Sequence, residues 1–185
     1  DTKYQIMNSL LVTYILQTEK WTSPELFETK NRIYTFLNPV SYLIALENKS
    51  LFKQFDGIFA DGSLLVSAIR LVYGKRVTRR SFDMTSLAPE LLNYLMESRK
   101  TLYIVASGQE QVECSVRIFQ EQYPKLRIAG FRNGYFSSDA EMNKEASHIV
   151  ELNPDFLIVG MGALMQEKFL LKVKKMGYQG IDRKS

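Results

Sequence analysis

Three stretches of the chain hold residues whose types and spacing can do chemistry on a ligand carrying hydroxyls and phosphates. Asp61 ends the apolar segment Ile58-Phe59-Ala60 and is followed by Gly62 and Ser63, so its carboxylate stands where a strand gives way to a helix. A carboxylate there can cap the helix or take the proton of a substrate hydroxyl as a general base, and the two roles are compatible. In Asn153–Phe169, NPDFLIVGMGALMQEKF, the apolar run Phe156–Val159 passes through Gly160 and Gly162 into a helix opening with Gln166 and Glu167. The glycines let main chain approach a bound group closely, and the free N–H groups of a helix start favour an anion. A GxG pair serves equally in a merely tight connection, so this motif decides little alone. The third stretch is basic: Arg70, Lys75, Arg76, Arg79 and Arg80 crowd one region, and Lys168, Lys172, Lys174, Lys175, Arg183 and Lys184 load the end of the chain. Such clusters meet phosphates, anionic lipid or nucleic acid, or they form a solvated helix face.

Several chemistries lack their signatures. His148 is the single histidine, and it falls on a helical pattern as a surface or half-buried residue, so a histidine triad and a histidine-based metal site are both absent. There is no Asp-x-Asp pair, no Walker A lysine pattern, no GxSxG elbow and no GxGxxG, and neither a metal nor a bound cofactor is expected. The aromatic residues are spread over core-type positions, which gives no base-stacking platform and argues against nucleic acid as a partner.

At 185 residues and 45% hydrophobic, the chain fits a single globular domain with a sizeable core. One cysteine, Cys114, excludes an internal disulfide and points to a reducing compartment; within a helical pattern it reads as structural filler. No apolar run approaches the roughly 18 residues of a membrane span and no signal peptide is visible, so the reading is a soluble or peripheral protein.

The elements that must position these residues alternate. Strands are expected at Ile33–Phe36, Gly57–Ala60, Leu102–Val105, Leu126–Ala129 and Phe156–Val159, with helices at Val40–Glu47, Ser63–Val72, from a Ser86 cap through Glu97, Gly108–Tyr123, Ala140–Val150 and Lys168–Lys175. The ambiguous Tyr4–Leu16 reads as strand-rich. On Ser63–Val72, Leu64, Leu65, Ala68, Ile69 and Val72 share a side that either packs in the core or meets a second copy in a homo-oligomer; core packing is the reading preferred. This rhythm implies right-handed βαβ crossovers and an α/β fold with a mostly parallel sheet and helices on both faces, Rossmann-like, in one domain.

Ligands of such sheets bind beyond the carboxyl ends of the strands. Thr35 and Asn38, then Asp61, Gly62 and Ser63, then Ser107 and Gly108, then Asn133-Gly134-Tyr135-Phe136, and last Gly160, Gly162, Gln166 and Glu167 fall there.

Phe59-Ala60-Asp61-Gly62, Tyr123-Pro124, Gly134-Tyr135-Phe136, Asn153-Pro154-Asp155, and Gly162 followed by Gln166-Glu167 occur in an order that resembles the WecG/TagA/CpsF glycosyltransferase family, over about Ile33–Phe169. The resemblance implies an inverting, metal-independent transferase of cell-envelope polysaccharide or teichoic acid assembly. It would move a sugar of the N-acetylmannosamine type from a UDP-sugar, a substrate rather than a cofactor, to a polyprenyl-diphosphate-linked sugar at the cytoplasmic face of the plasma membrane. Asp61 matches the family's catalytic aspartate. Arg79 or Arg80 and the Gly108 and Gly162 loops would stabilise the leaving UDP, Gln166 and Glu167 would orient hydroxyls, and Thr35 and Asn38 match a family Thr and Asn with one extra residue of spacing. The chain departs from the pattern at Leu64 (a second glycine in the family), at Leu164 (a common proline) and at Ser81, where the family has a glycine before the aspartate matched by Asp83. Family members continue past a strand matched by Tyr178–Ile181 with a basic, membrane-associating tail, whereas this chain begins at Asp1 and stops at Ser185; it is expected to be part of a longer protein, with membrane contact through a basic C-terminal region. A UDP-sugar-binding module without catalysis is the rival reading, and a nucleic-acid-binding domain using Arg70–Arg80 a more distant one.

Overall fold

The computed structural model describes the backbone of residues 2–180 and the side chains of residues 10–180. Its strands are all parallel and fall into two sheets, a pair β1-β2 and a trio in the order β4-β3-β5. The contacts divide the chain into two compact units, the first made of the chain up to Glu28 with Arg32–Pro89, the second of Thr29–Asn31 with the chain from Glu90 onward.

In the first unit, β1 (Tyr34–Leu37) lies beside β2 (Gly57–Ala60), Tyr34 opposite Gly57 and Leu37 opposite Ala60. Asp56 sets this register by accepting the Ile33 N–H at 2.8 Å. Gly57 admits no side chain, because a Cβ there would lie 2.8 Å from the Tyr34 ring and 2.9 Å from Trp21. Every residue of β2 is buried, as its unbroken apolar run requires. Helix α1 (Thr2–Thr18) packs on β2, and the Thr18 hydroxyl donates to the Ile58 carbonyl at 3.1 Å. The expected strand character of Tyr4–Leu16 is therefore wrong. Leu11, Val12, Ile15 and Thr18 are all buried at spacings of one, four and seven, the signature of a helix face that the Val, Ile and Tyr content of the segment obscures.

Short helix α2 (Ser23–Glu28) precedes β1, and α3 (Pro39–Glu47) and α4 (Lys49–Phe52) connect β1 to β2; α5 (Ser63–Tyr73) leaves β2 and ends on Gly74 in the left-handed conformation. Only Leu65 and Ile69 of α5 are buried. Leu64 and Val72 are exposed, which corrects the assignment of that side to the core.

Most of α6 (Leu87–Glu97) belongs to the second unit, where central β3 (Thr101–Ala106) is followed by α7 (Gln109–Gln122), edge strand β4 (Arg127–Arg132), α8 (Asp139–Leu152), β5 (Phe156–Gly160) and α9 (Met165–Lys175). Tyr103 and Val105 of β3 pack with Met142, Ala146 and Ile149 of α8 and Phe169 and Val173 of α9. The alternate residues Leu102 and Ile104 project from the opposite face and are equally buried. Asn153-Pro154-Asp155 turns out to be a structural joint. Asn153 ends α8 at φ 43°, Pro154 blocks continuation, and Asp155 reaches across to accept from the N–H and hydroxyl of Thr101 at 2.6 and 2.8 Å, pinning the starts of β3 and β5.

Two further expectations fail. Cys114 is exposed rather than filler, since the inward positions of α7 are Val112 and Val116, two residues to either side. Residues 178–180 form no strand, and Ile181 lies outside the described residues.

Candidate functional site

Helix α5 begins at Gly62, at φ 90° and without a side-chain cap, so Asp61 is one position too early to cap it. Its backbone is fixed by an N–H donated to the Leu37 carbonyl at 2.8 Å, which extends the sheet pairing to the strand end. The carboxylate stands free of that scaffold, about one third exposed, with Arg79 Nε 4.0 Å from Oδ1. Burial raises its pKa above the ordinary aspartate value and Asp83 adds to the rise; Arg79 and the Gly62 N–H oppose it.

The turn after α5 presents Arg79. Asp83 accepts from the Thr85 hydroxyl and N–H (2.6 and 2.8 Å) and the Ser81 hydroxyl (2.7 Å), which holds its own pKa down to about 2 and keeps it ionised. Arg79 then bridges to Asp83 at 3.3 Å and to the buried Ser81 at 3.2 Å, leaving its other edge toward Asp61. Ser81, noted in the sequence only as a departure, is thus the pivot of the turn. Arg80 points the other way. It donates to the Thr18 carbonyl at 3.3 Å and lies over the Phe59 ring at 5.6 Å, so it braces the fold while Arg79 faces the carboxylate. Because Arg79 holds Asp61 toward its charged form, Arg79→Gln is expected to move the acidic limb of a pH–rate profile to higher pH, and a profile unchanged by the substitution would remove Arg79 from this role.

Other expected residues of this unit serve structure. Thr35 is buried within β1 rather than beyond it, and Asn38 caps α3, accepting the Ser41 N–H at 2.9 Å while Ser41 accepts the Asn38 N–H at 2.8 Å. Ser63 is exposed in the first turn of α5.

In the second unit the ends of three strands are laced by main chain: Ser107 N–H donates to Gly160 at 3.0 Å, and Gly134 N–H donates to Ser107 at 2.9 Å. Above this floor opens a cavity of about 570 Å³, walled by Tyr135 and Phe136, by Ser137, Ser138 and Asp139 at the start of α8, and by Met161, Gly162 and Met165 at the start of α9. Its size suits a small-molecule ligand. Gly108 starts α7 without a side-chain cap, and Gly162, again at φ 90°, turns the chain into α9 as Gly62 does into α5.

Asn133 shapes the loop by accepting the Tyr135 N–H at 2.9 Å and donating to Gln109 at 3.0 Å. Arg132 organises it further, donating to the carbonyls of Asn133 and Tyr135, lying over Phe136 at 4.1 Å and pairing with Glu141 and Glu145. The sequence reading missed Arg132; its signal is a basic residue ending a strand just before Asn133-Gly134-Tyr135-Phe136. Glu167 is wholly buried, with Oε2 accepting the Leu164 N–H at 2.7 Å and Oε1 the Gln166 amide at 3.0 Å. It holds the left-handed Leu164, at φ 72°, and so fixes the entry to α9, while Gln166 remains half-buried beside it.

Among the described residues no group of three or more His, Cys, Asp or Glu side chains gathers to hold a metal ion, and no helix is long and apolar enough to cross a membrane.

Comparison with known proteins places these features in context. The chain is 31% identical over 142 residues to UDP-Gal:alpha-D-GlcNAc-diphosphoundecaprenol beta-1,4-galactosyltransferase of Shigella boydii, a match covering 77% of this chain and 59% of the relative. It is 23% identical over 168 residues to N-acetylglucosaminyldiphosphoundecaprenol N-acetyl-beta-D-mannosaminyltransferase of Bacillus subtilis (strain 168), covering 89% of this chain and 62% of the relative. The chain thus spans about three fifths of the length of these curated relatives. Residues 14–180, nearly all those described, match the Glycosyl transferase WecG/TagA/CpsF family, and the chain belongs to that family.

Proposed function

We propose that this chain carries the transfer chemistry of an inverting glycosyltransferase that moves a sugar from a UDP-sugar to a polyprenyl-diphosphate-linked sugar at the cytoplasmic face of the membrane. The observation that carries the reading is Asp61: a carboxylate at a strand end, not spent on capping, its pKa raised by burial and balanced by Arg79. As base it takes the proton of the acceptor hydroxyl; the acceptor oxygen bonds the anomeric carbon as the bond to UDP breaks, and the leaving diphosphate carries away the electron pair. Arg79, beside the carboxylate, provides positive potential of the kind this charge requires.

The two relatives named above share N-acetylglucosaminyl-diphosphoundecaprenol in their names and differ in the sugar transferred, galactose in one and N-acetylmannosamine in the other. The acceptor class is accordingly the firmer part of the proposal, and N-acetylmannosamine is retained as the donor sugar, with galactose as the rival. The test is a transfer assay pairing UDP-N-acetylmannosamine and UDP-galactose with a short-chain polyprenyl-diphosphate N-acetylglucosamine. Product with inverted anomeric configuration from either donor supports the transferase. UDP binding without turnover by a protein of the relatives' full length would replace it with a binding module.

A further inference from the structure

Helix α5 turns an apolar stripe to solvent. Leu64, Leu71 and Val72 are 70%, 88% and 70% exposed, and with exposed Ala68 they occupy one sector of about 100° at 100° per residue. The adjoining sector, Leu65 and Ile69, is the one that packs inward. Helix α3, whose Pro39 lies beside Gly62 at the start of α5, adds Val40 and Leu43 at 68% and 63% exposure. Apolar side chains bared together on neighbouring helices mark a surface with a partner.

The charges beside the stripe identify that partner. Arg70 precedes Leu71 on α5, and Lys75 and Arg76 follow Val72 after Tyr73 and Gly74; all three are exposed, and none is in an ion pair among the described residues. The turn carrying them is held at both ends. Gly74 stops the helix, Val77 is buried, and the Thr78 N–H donates to Glu19 at 2.9 Å, so Lys75 and Arg76 stay next to Leu71 and Val72. Apolar side chains rimmed by cations match an anionic bilayer, in which the stripe enters the acyl boundary and the cations meet the phosphates. A second copy packed through the same face would bring the cationic rim against itself, which disfavours a dimer.

We propose that the exposed face of α5, with Arg70, Lys75 and Arg76, is a membrane-docking surface that seats this chain on anionic lipid. It rests on the transferase reading only in that a lipid-linked acceptor gives the surface its purpose. Its deciding readout is vesicle binding. The chain is floated with vesicles of phosphatidylcholine alone and with phosphatidylglycerol added at one part in three, alongside the variants L64S/L71S/V72S and R70Q/K75Q/R76Q. These residues are exposed, so both variants should keep the parent's Tm. Binding is expected to need phosphatidylglycerol, to fall about tenfold or more in the apolar variant and roughly a hundredfold at low salt in the charge variant. Transfer to a water-soluble short-chain acceptor is expected to be unchanged in both, so loss of docking and loss of the transferase reading have separate readouts. Unaltered vesicle binding in either variant overturns the proposal. A parent that is dimeric by sedimentation and is made monomeric by the apolar variant without loss of vesicle binding assigns the face to a second copy instead.

Discussion

Asp61→Asn is expected to lower kcat by about a thousandfold, within the range a general base contributes, while UDP-sugar affinity stays within about twofold, as for a group acting in the transition state. The substitution keeps size and hydrogen-bonding capacity and removes only the basic lone pair. A companion stability measurement separates this from damage to the fold. Burial raises the Asp61 pKa, so the folded chain holds this proton more tightly than the unfolded chain does. Stability from this group is therefore greatest in acid, declines as pH rises from the unfolded-state pKa through the folded one, and is fully lost at neutral pH. Asparagine never ionises, so the variant should melt at or above the parent's Tm at pH 7, with no such advantage in acid. A variant that melts lower at pH 7, or that turns over within tenfold of the parent, would remove Asp61 as the base.

Asp155→Ala should have the largest effect on stability and little on chemistry. The carboxylate accepts two hydrogen bonds from Thr101, and the Asp155 N–H donates in return to the Thr101 hydroxyl at 3.0 Å, so removing it leaves the first N–H of β3 without its partner. Hydrogen bonds to a charged acceptor contribute about 2–3 kcal/mol here, and for a chain of this size the loss lowers Tm by roughly 5–10 °C. Urea unfolding checks the figure. Well below its Tm the variant should transfer sugar at near the parental rate; a fall in rate without a fall in Tm would move Asp155 from the joint to the ligand.

What the sequence discloses depends on how local the physics is. The second unit is legible because each of its strands is a short apolar run and each helix an amphipathic repeat, so β3, α7, α8 and β5 fall within a few residues of expectation. Helix α1 is not, because the β-branched residues Val12, Ile15 and Thr18 at its buried positions imitate a strand until β2 is present to pack against. The outward face of α5 is illegible for the opposite reason: apolar residues cover more of the helix than the core uses, and periodicity alone cannot say which of them packs. At the site, Asp61 is readable from its place at a strand end. The roles of Arg79 and Arg80 are not, since adjacent residues of one extended segment face opposite ways and only the partners Thr18, Phe59, Ser81 and Asp83 decide which faces inward. Glu167 sits at a motif position and is consumed by the N–H of Leu164, a bond that depends on a left-handed residue no propensity predicts.

The lacing of Gly160, Ser107 and Gly134 has a bearing on how such a protein can change its substrate. The base of the cavity is made of peptide groups, which every amino acid possesses, whereas its rim is made of the side chains of Tyr135, Ser137, Ser138, Asp139 and Met165. Mutation can redraw the rim without unpicking the base. We propose that the donor sugar meets this rim, so that one hexose can be exchanged for another while the framework stays intact; the two relatives are named for galactose and for N-acetylmannosamine. On that proposal donor preference is set by the side chains of the rim, and the first place to seek it is the start of α8.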